Sequence, residues 1–402
     1  MNHRNSYDAI VVGARCAGSP TAMLLARLGH RVLLVDRVGF PSDTLSTHYI
    51  HQSGVASLER WGLLPRIVAA GAAAIRNYTL DVGPFALRGT PPPIGDVADA
   101  YSLQRNVLDQ ILVEAAAAAG VEVREQFPVD EILTDGGRVT GIRSRGVTEH
   151  ARIVIGADGL NSLVARTVGA TTYNDQGSLT CAYYTYWTGL EMDGVELYPR
   201  PGRMIVAAPT NDGRAVTIVF WPRSEFAAVR ADIERRFLEV LELAPGLAAR
   251  VRAASRADRY RGTSRLPNFY RRPYGSGWAL VGDAGYHKDP ILALGIGDAF
   301  RDAELLAGAV HTGLSGQAPL TPALAEYERR RNALSANGFR STVEFAGLQP
   351  PPPHMQQLFA ALQHNPHDCD RLFGTFAGTV SADEFFAPDN MARILTPLSE
   401  AA

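Results

Sequence analysis

Residues 7–36, YDAIVVGARCAGSPTAMLLARLGHRVLLVD, decide the fold. YDAIVV (7–12) is an apolar run of the kind that forms a buried parallel strand. GARCAGSP follows as a turn, and Ala22, Leu24, Leu25 and Leu28 give residues 17–28 a helical spacing. Gly29 ends that helix as its C-terminal cap. RVLLVD then returns as a second strand ending at Asp36, which completes a β-α-β unit. Gly13 permits the tight turn, and Gly18 lets the helix pack closely on the strand. The start of the helix offers unpaired N–H groups and a positive dipole end to a pyrophosphate. Asp36, 23 residues after Gly13, stands where a carboxylate accepts hydrogen bonds from a ribose diol. Arg15 replaces the middle glycine of G-x-G-x-x-G, and taken alone the motif also fits a glycine turn that holds no ligand.

Two later segments repeat the pattern of an apolar strand ending in an acidic turn. They are IVIGADGLNSLVAR (153–166) and WALVGDAGYHKDP (278–290). Each alone reads as an ordinary strand end; their order is the informative part. Between Gly159 and Gly282 lie 122 residues, and 178–221 are rich in aromatic and β-branched residues, which predicts a separate antiparallel sheet. Residues 37–55 read as loop, with short helices at 55–61 and 63–70 and strand-like pieces within 75–100. A helix is expected at 106–119, strands at 121–124, 127–134 and 138–145, and an amphipathic helix at 225–242. The remainder is mainly helical, with PPPP at 350–353 as a rigid elbow.

Together the three motifs resemble those of the flavoprotein monooxygenase family related to aromatic hydroxylases, flavin halogenases and geranylgeranyl reductases, over about residues 7–310. The resemblance implies an α/β fold: a glutathione-reductase-like FAD-binding Rossmann domain, an inserted antiparallel β-sheet substrate domain and a helical C-terminus. The FAD domain would comprise 1–80, 101–172 and 263–320, the substrate domain 81–100 and 173–262, and the helical region 321–402. Gly13, Arg15, Ala17 and Gly18 would hold the FAD pyrophosphate, and Asp36, beside Arg37, the adenosine ribose. Val129 matches a position by the adenine, and Arg105 an arginine near the cofactor. Asp158 and Gly159 would stabilise the site, and Gly282 and Asp283 would meet the ribityl-pyrophosphate region. Pro290 and Gly295-Ile296-Gly297 would lie beside the isoalloxazine. Tyr286 stands where the family has histidine, and Leu294 and Gly297 where it has a polar residue and asparagine. The W-x-W-x-I-P motif of the halogenases is absent, and so is the YxWxFP pattern of the reductases. The implied cycle has NADH or NADPH reduce FAD, oxygen add at the flavin C4a carbon as a hydroperoxide, and the distal oxygen pass to a small aromatic or apolar substrate. No second dinucleotide fingerprint is visible, so the nicotinamide would bind transiently.

On a strand through 180–188, Tyr184 and Tyr186 share a face, and with Trp221 they are candidate substrate contacts; Tyr183 and Trp187 face the other way. His48 and His287 are the acid-base candidates. Core packing is an equal reading for the aromatics, and a solvated loop for the histidines. His48 and His51, three apart, read as surface polarity rather than a metal site, and no metal is expected. A composition of 46% apolar and 20% charged residues with a net charge of -2 argues against a grip on nucleic acid or an anionic membrane. No apolar run approaches a membrane span of about 20 residues. The N-terminus runs almost directly into a strand, leaving no room for a signal peptide, and the three cysteines fit reduced thiols. The expectation is a cytoplasmic, FAD-dependent monooxygenase acting on a small molecule with oxygen. A flavin-dependent reductase or dehydrogenase would use the same motifs. A plain NAD-binding dehydrogenase would need only the first, and a non-enzymatic flavin-binding regulator is the weakest reading. Substrate identity and oligomeric state are not legible in the sequence.

Overall fold

The computed structural model describes residues 6–46 and 48–396. Its central sheet places Ser6–Val12 between Val32–Val35 and Val147–Gly156, with Glu122–Arg124 and Trp278–Leu280 outside them, all parallel. Alternation divides their side chains. Ala9, Val11, Leu34 and Ile155 join one core with the helices Gly18–Arg27, Arg105–Ala118 and Gly295–Leu314. Ile10, Val12, Leu33 and Val35 face a second core under the antiparallel strands Glu131–Asp135 and Arg138–Ser144. Both faces are covered, which is why these strands read as nearly continuous apolar runs.

A second sheet runs in the order Ser255–Arg256, Thr180–Thr188, Arg214–Pro222, Arg203–Pro209, Gly194–Arg200, Asn77–Asp81 and Ala86–Gly89. Asn77–Asp81, which a boundary at residue 80 divides, belongs to this sheet whole. Thr172–Ser178 lies outside it and pairs with Pro267–Arg271, which pairs in turn with Tyr286–His287. One face of the second sheet packs on the helices Ile233–Leu241 and Pro245–Ala253. The other faces the C-terminal helices Pro353–Leu362 and Pro366–Ala377.

Two expected elements differ. The helix over 225–242 is broken at Asp232 (φ −147°, ψ 61°) into Phe226–Ala231 and Ile233–Leu241. The strand over 127–134 is reduced to Glu131–Asp135, because the chain before it runs to the central sheet, where Phe127 N–H donates to the Asp36 carbonyl at 2.8 Å.

Candidate functional site

Three chain segments meet at the end of Ser6–Val12. Gly13 (φ +104°) lies against the Ala157 carbonyl, and Gly18 against the Gly13 carbonyl, so closely that neither position has room for a Cβ. Gly282 (φ +60°) faces Ala17, whose methyl would stand 2.7 Å from an added Cβ. The turn 13–18, Ala157–Gly159 and Gly282–Asp283, separated widely in sequence, thus form one junction. No side chain caps the start of Gly18–Arg27; Ser19 N–H donates to the Arg15 carbonyl at 3.0 Å and Pro20 has no N–H, which leaves the Gly18 N–H and the positive dipole end for an anion. Asp36 accepts hydrogen bonds from Ala14 N at 2.7 Å and Val38 N at 3.0 Å, and its remaining lone pairs suit a diol. Arg37 beside it is exposed. Val129 is half-buried, two residues past the Phe127 bond that ties its segment to Asp36.

Beside the turn lies a charge cluster that sequence reading missed. Asp109 has no solvent exposure. It accepts from Arg15 Nη1 at 2.5 Å, from Arg105 Nη2 at 3.0 Å and from the Cys16 thiol at 3.4 Å. Two cations share one anion, which leaves a positive balance at the turn. The available signal was an acid four residues after Arg105 in an apolar helix. Asp283 is exposed and within electrostatic reach of Arg105. Asp158 instead caps Leu163–Thr167, accepting from Leu163 N at 2.6 Å and Val164 N at 3.2 Å, while its Oδ1 is buried without a partner. Burial raises its carboxyl above the usual range.

After Gly282–Asp283 the chain passes Asp289, makes a short turn over Pro290–Leu292 and enters the helix Gly295–Leu314, whose start has no side-chain cap. A Cβ on Gly295 would meet nothing within 4 Å, so its backbone is open to a ligand. Ile296 is buried in the helix core, and Gly297 packs beside Gly54. Asp289 accepts from Thr180 Oγ1 at 2.5 Å, tying this turn to the strand Thr180–Thr188 of the second sheet; burial pushes its carboxyl up to about 7.

Between the turn and the second sheet lies a cavity of about 50 Å³. Its walls include Pro290, Leu292, Ile218, Phe220, Phe345 and Phe376, and no charged residue. Tyr49, Tyr78 and His51 supply its few polar atoms. Tyr49 donates to Tyr78 Oη at 2.7 Å, and His51 joins Tyr78 at 3.3 Å and the Leu292 carbonyl at 3.0 Å. Burial holds the His51 imidazole down to about 4.

His48 and His51 are both buried, which corrects the expectation of surface polarity. His48 stacks on Tyr186 (centroids 5.7 Å apart), meets Tyr184 edge-on (5.8 Å) and hydrogen-bonds the Tyr186 hydroxyl through Nε2. Burial, with Arg105 nearby, holds its imidazole down to about 3, so it is neutral at pH 7. Tyr184 and Tyr186 share the face of Ile218 and Val216, which line the cavity, but they and His48 stand beside it rather than in its wall. Trp221 does not join them. It opposes Cys181 in the ladder, so strand parity turns it to the other face, against Tyr183 (6.3 Å) and Phe237 (6.2 Å). His287 lies in the three-stranded sheet, stacked on Phe269 and hydrogen-bonded to the Pro267 carbonyl, and does not line the cavity.

The uncapped helix starts, the paired arginines and the carboxylate at the second strand end are a donor and acceptor set that fits an extended dinucleotide. Residues 6–342 match the family described as FAD binding domain. The chain belongs to this FAD-binding family. It is an FAD-dependent oxidoreductase with monooxygenase and reductase relatives. It is 30% identical over 307 residues to digeranylgeranylglycerophospholipid reductase 2 of Methanopyrus kandleri, covering 72% of this chain and 73% of that protein. It is 28% identical over 359 residues to the rifampicin monooxygenase of Rhodococcus hoagii, covering 85% of this chain and 71% of that one. The fold matches the myxobacterial chondrochloren halogenase CndH with a TM-score of 0.79 at 22% identity, over 97% of both chains. Among the described residues of this FAD-binding chain, no helix is long and apolar enough to cross a membrane.

Proposed function

We propose that this FAD-dependent oxidoreductase is a monooxygenase that draws electrons from NADH or NADPH and hydroxylates a small aromatic or apolar molecule. The observation that carries this reading is the apolar cavity between the second sheet and the Pro290–Leu292 turn. When bound, FAD supplies electron transfer and oxygen activation. In this reading the central sheet belongs to a glutathione-reductase-like FAD domain (1–80, 101–172, 263–320). The second sheet is the inserted substrate domain (81–100, 173–262), and 321–402 form the helical region. The strand Asn77–Asp81 argues for beginning the substrate domain at residue 77.

Asp36 would accept hydrogen bonds from the ribose, and Arg15 and Arg105, braced by Asp109, would offset the pyrophosphate charge. The uncapped start of Gly295–Leu314 would present N–H groups and a positive dipole end at the ring, favouring negative charge there. The cavity walls would keep water from the reacting carbon. His48 and Tyr186 would position the substrate as neutral hydrogen-bonding groups, since the imidazole is unprotonated at pH 7.

The test is turnover under oxygen gas enriched in the heavy isotope. One labelled oxygen atom in the product supports monooxygenation. A second reading, a flavin-dependent reductase, is favoured by the similarity to the M. kandleri reductase. It predicts a product that gains hydrogen and carries no label.

A further inference from the structure

The cluster around His48 contains three buried polar atoms with no hydrogen-bond partner: His48 Nδ1, Tyr184 Oη and Arg261 Nε. Such atoms are expensive to leave unpaired inside a protein, so three in one place call for a ligand. They are close together. The rings of His48, Tyr184 and Tyr186 lie 5.7–5.8 Å apart pairwise, and Arg261 stands opposite Tyr184 in the adjoining strand pair.

All three atoms present hydrogens. Tyr184 keeps its proton, because burial and Asp43 push its hydroxyl up to about 12 against the lowering pull of Arg261, which stands within side-chain hydrogen-bonding reach of it. Arg261 Nε is a permanent donor. The Tyr186 hydroxyl has His48 Nε2 as its partner, and donating to it is the arrangement that leaves no buried O–H unpaired. The neutral imidazole then carries its own proton on Nδ1.

The charge balance is unusual for a site built around an arginine. The Arg261 guanidinium is held by Asp43 on one side and by Asp258, at 2.9 Å, on the other. Arg261 thus has a carboxylate on each side, His48 is neutral, and the nearest further cation acting on His48 is Arg105. A neutral oxygen with free lone pairs satisfies every donor without placing a third negative charge beside Asp43 and Asp258. On the neighbouring strand Arg214–Pro222, Ile218 and Val216, the partners of Tyr184 and Tyr186, form part of the apolar cavity wall.

We propose that His48 Nδ1, Tyr184 Oη and Arg261 Nε form a receptor for one neutral, hydrogen-bond-accepting oxygen of an otherwise apolar substrate, with Arg261 setting the preference. This rests on the reading of the cavity as the substrate site. The substrate class is a ketone, quinone or amide carried on a hydrocarbon frame, not a carboxylate.

The experiment compares acetophenone, isopropylbenzene and benzoate, three probes of nearly equal size, binding to the FAD-loaded protein by ligand-observed saturation-transfer NMR. Acetophenone is expected to bind roughly tenfold or more tighter than isopropylbenzene, the effect of pairing buried donors, and tighter than benzoate. Arg261→Met and Tyr184→Phe should each collapse the ketone-to-hydrocarbon ratio toward one while FAD content stays that of the parent protein. The proposal is overturned if benzoate binds tightest, if the ratio survives both substitutions, or if Arg261→Met strips FAD instead, which would make the receptor part of the cofactor site. No binding of any probe to protein that retains FAD also overturns it, and leaves the oxidoreductase reading standing. Ketone-selective binding to protein that holds no FAD supports the receptor and removes the flavin reading.

Discussion

Asp109 takes the charge of two arginines without touching water. Its removal leaves Arg105, itself largely buried, with no hydrogen-bonded carboxylate and only the exposed Asp283 within electrostatic reach. Asp109→Ala should therefore cost about 3 kcal/mol of stability, read as a lower midpoint in urea unfolding of the FAD-free protein. An unchanged midpoint would mean that the arginines find other partners. Asp36→Ala acts differently, because beyond its bonds from Ala14 N and Val38 N the carboxylate has lone pairs left for the ribose. Charge-assisted hydrogen bonds of this kind are worth about 1.5–3 kcal/mol, so FAD affinity should fall roughly tenfold or more in a protein that still folds. Equilibrium titration with FAD measures it, and undiminished retention would take Asp36 out of the site. Asp36 could be found in the sequence because its role follows from spacing after a glycine turn. Asp109 left only its spacing after Arg105 as a signal, since its importance arises where a distant helix meets that turn. Trp221 misled for a related reason: its face depends on pairing with Cys181, and register is a tertiary fact.

Elements with a simple period were the legible ones. The strands of the central sheet and the helix after Gly13 fall where the apolar pattern puts them, because burial on both faces writes itself into composition. The break at Asp232 was hidden, since Phe237, Val240 and Leu241 continue a helical spacing beyond it. The helix Gly295–Leu314 offers the sharpest test at this scale. A side chain at Gly295 has open space around it, so Gly295→Val should fold normally. The valine would nonetheless occupy the approach to the helix start. Flavin reduction or oxygen coupling should suffer, measured by stopped-flow absorbance and by peroxide release. Tyr184→Ala, on the second sheet, should leave FAD affinity nearly intact while altering substrate use. Normal flavin chemistry in the first variant together with flavin loss in the second would reverse the proposed roles of the Gly295–Leu314 helix start and the second sheet.

The molecule as a whole is stitched at Asp289, whose bond to Thr180 joins the turn after the Gly-Asp motif to the second sheet. Its folded pKa of about 7 lies above the unfolded value near 3.9. The folded state thus holds a proton that the unfolded chain releases between those values, and this group favours folding less as pH rises from about 4 to 7. His48 and His51 work the other way. With folded values of about 3 and about 4 below an ordinary 6.5, their contribution is complete above pH 6.5 and is lost as pH falls. At pH 5 the three groups together leave the unfolded state one proton ahead. Asp289→Asn removes the opposing member, so stability should climb more steeply between pH 4 and 7, by about 1.4 kcal/mol per pH unit. Denaturant titrations of both proteins across that range check it, and parallel slopes would place the proton elsewhere. The cofactor junction also has a consequence for synthesis. Trp278–Leu280 lies beside Val147–Gly156 in the sheet, yet 121 residues separate Gly156 from Trp278. While those residues leave the ribosome, the nascent sheet carries a bare edge, open to mispairing with other chains. On the proposed reading, in which Gly282 helps to hold FAD, the cofactor site stays incomplete until residue 282 has emerged, so FAD would join a largely synthesised chain rather than nucleate its folding.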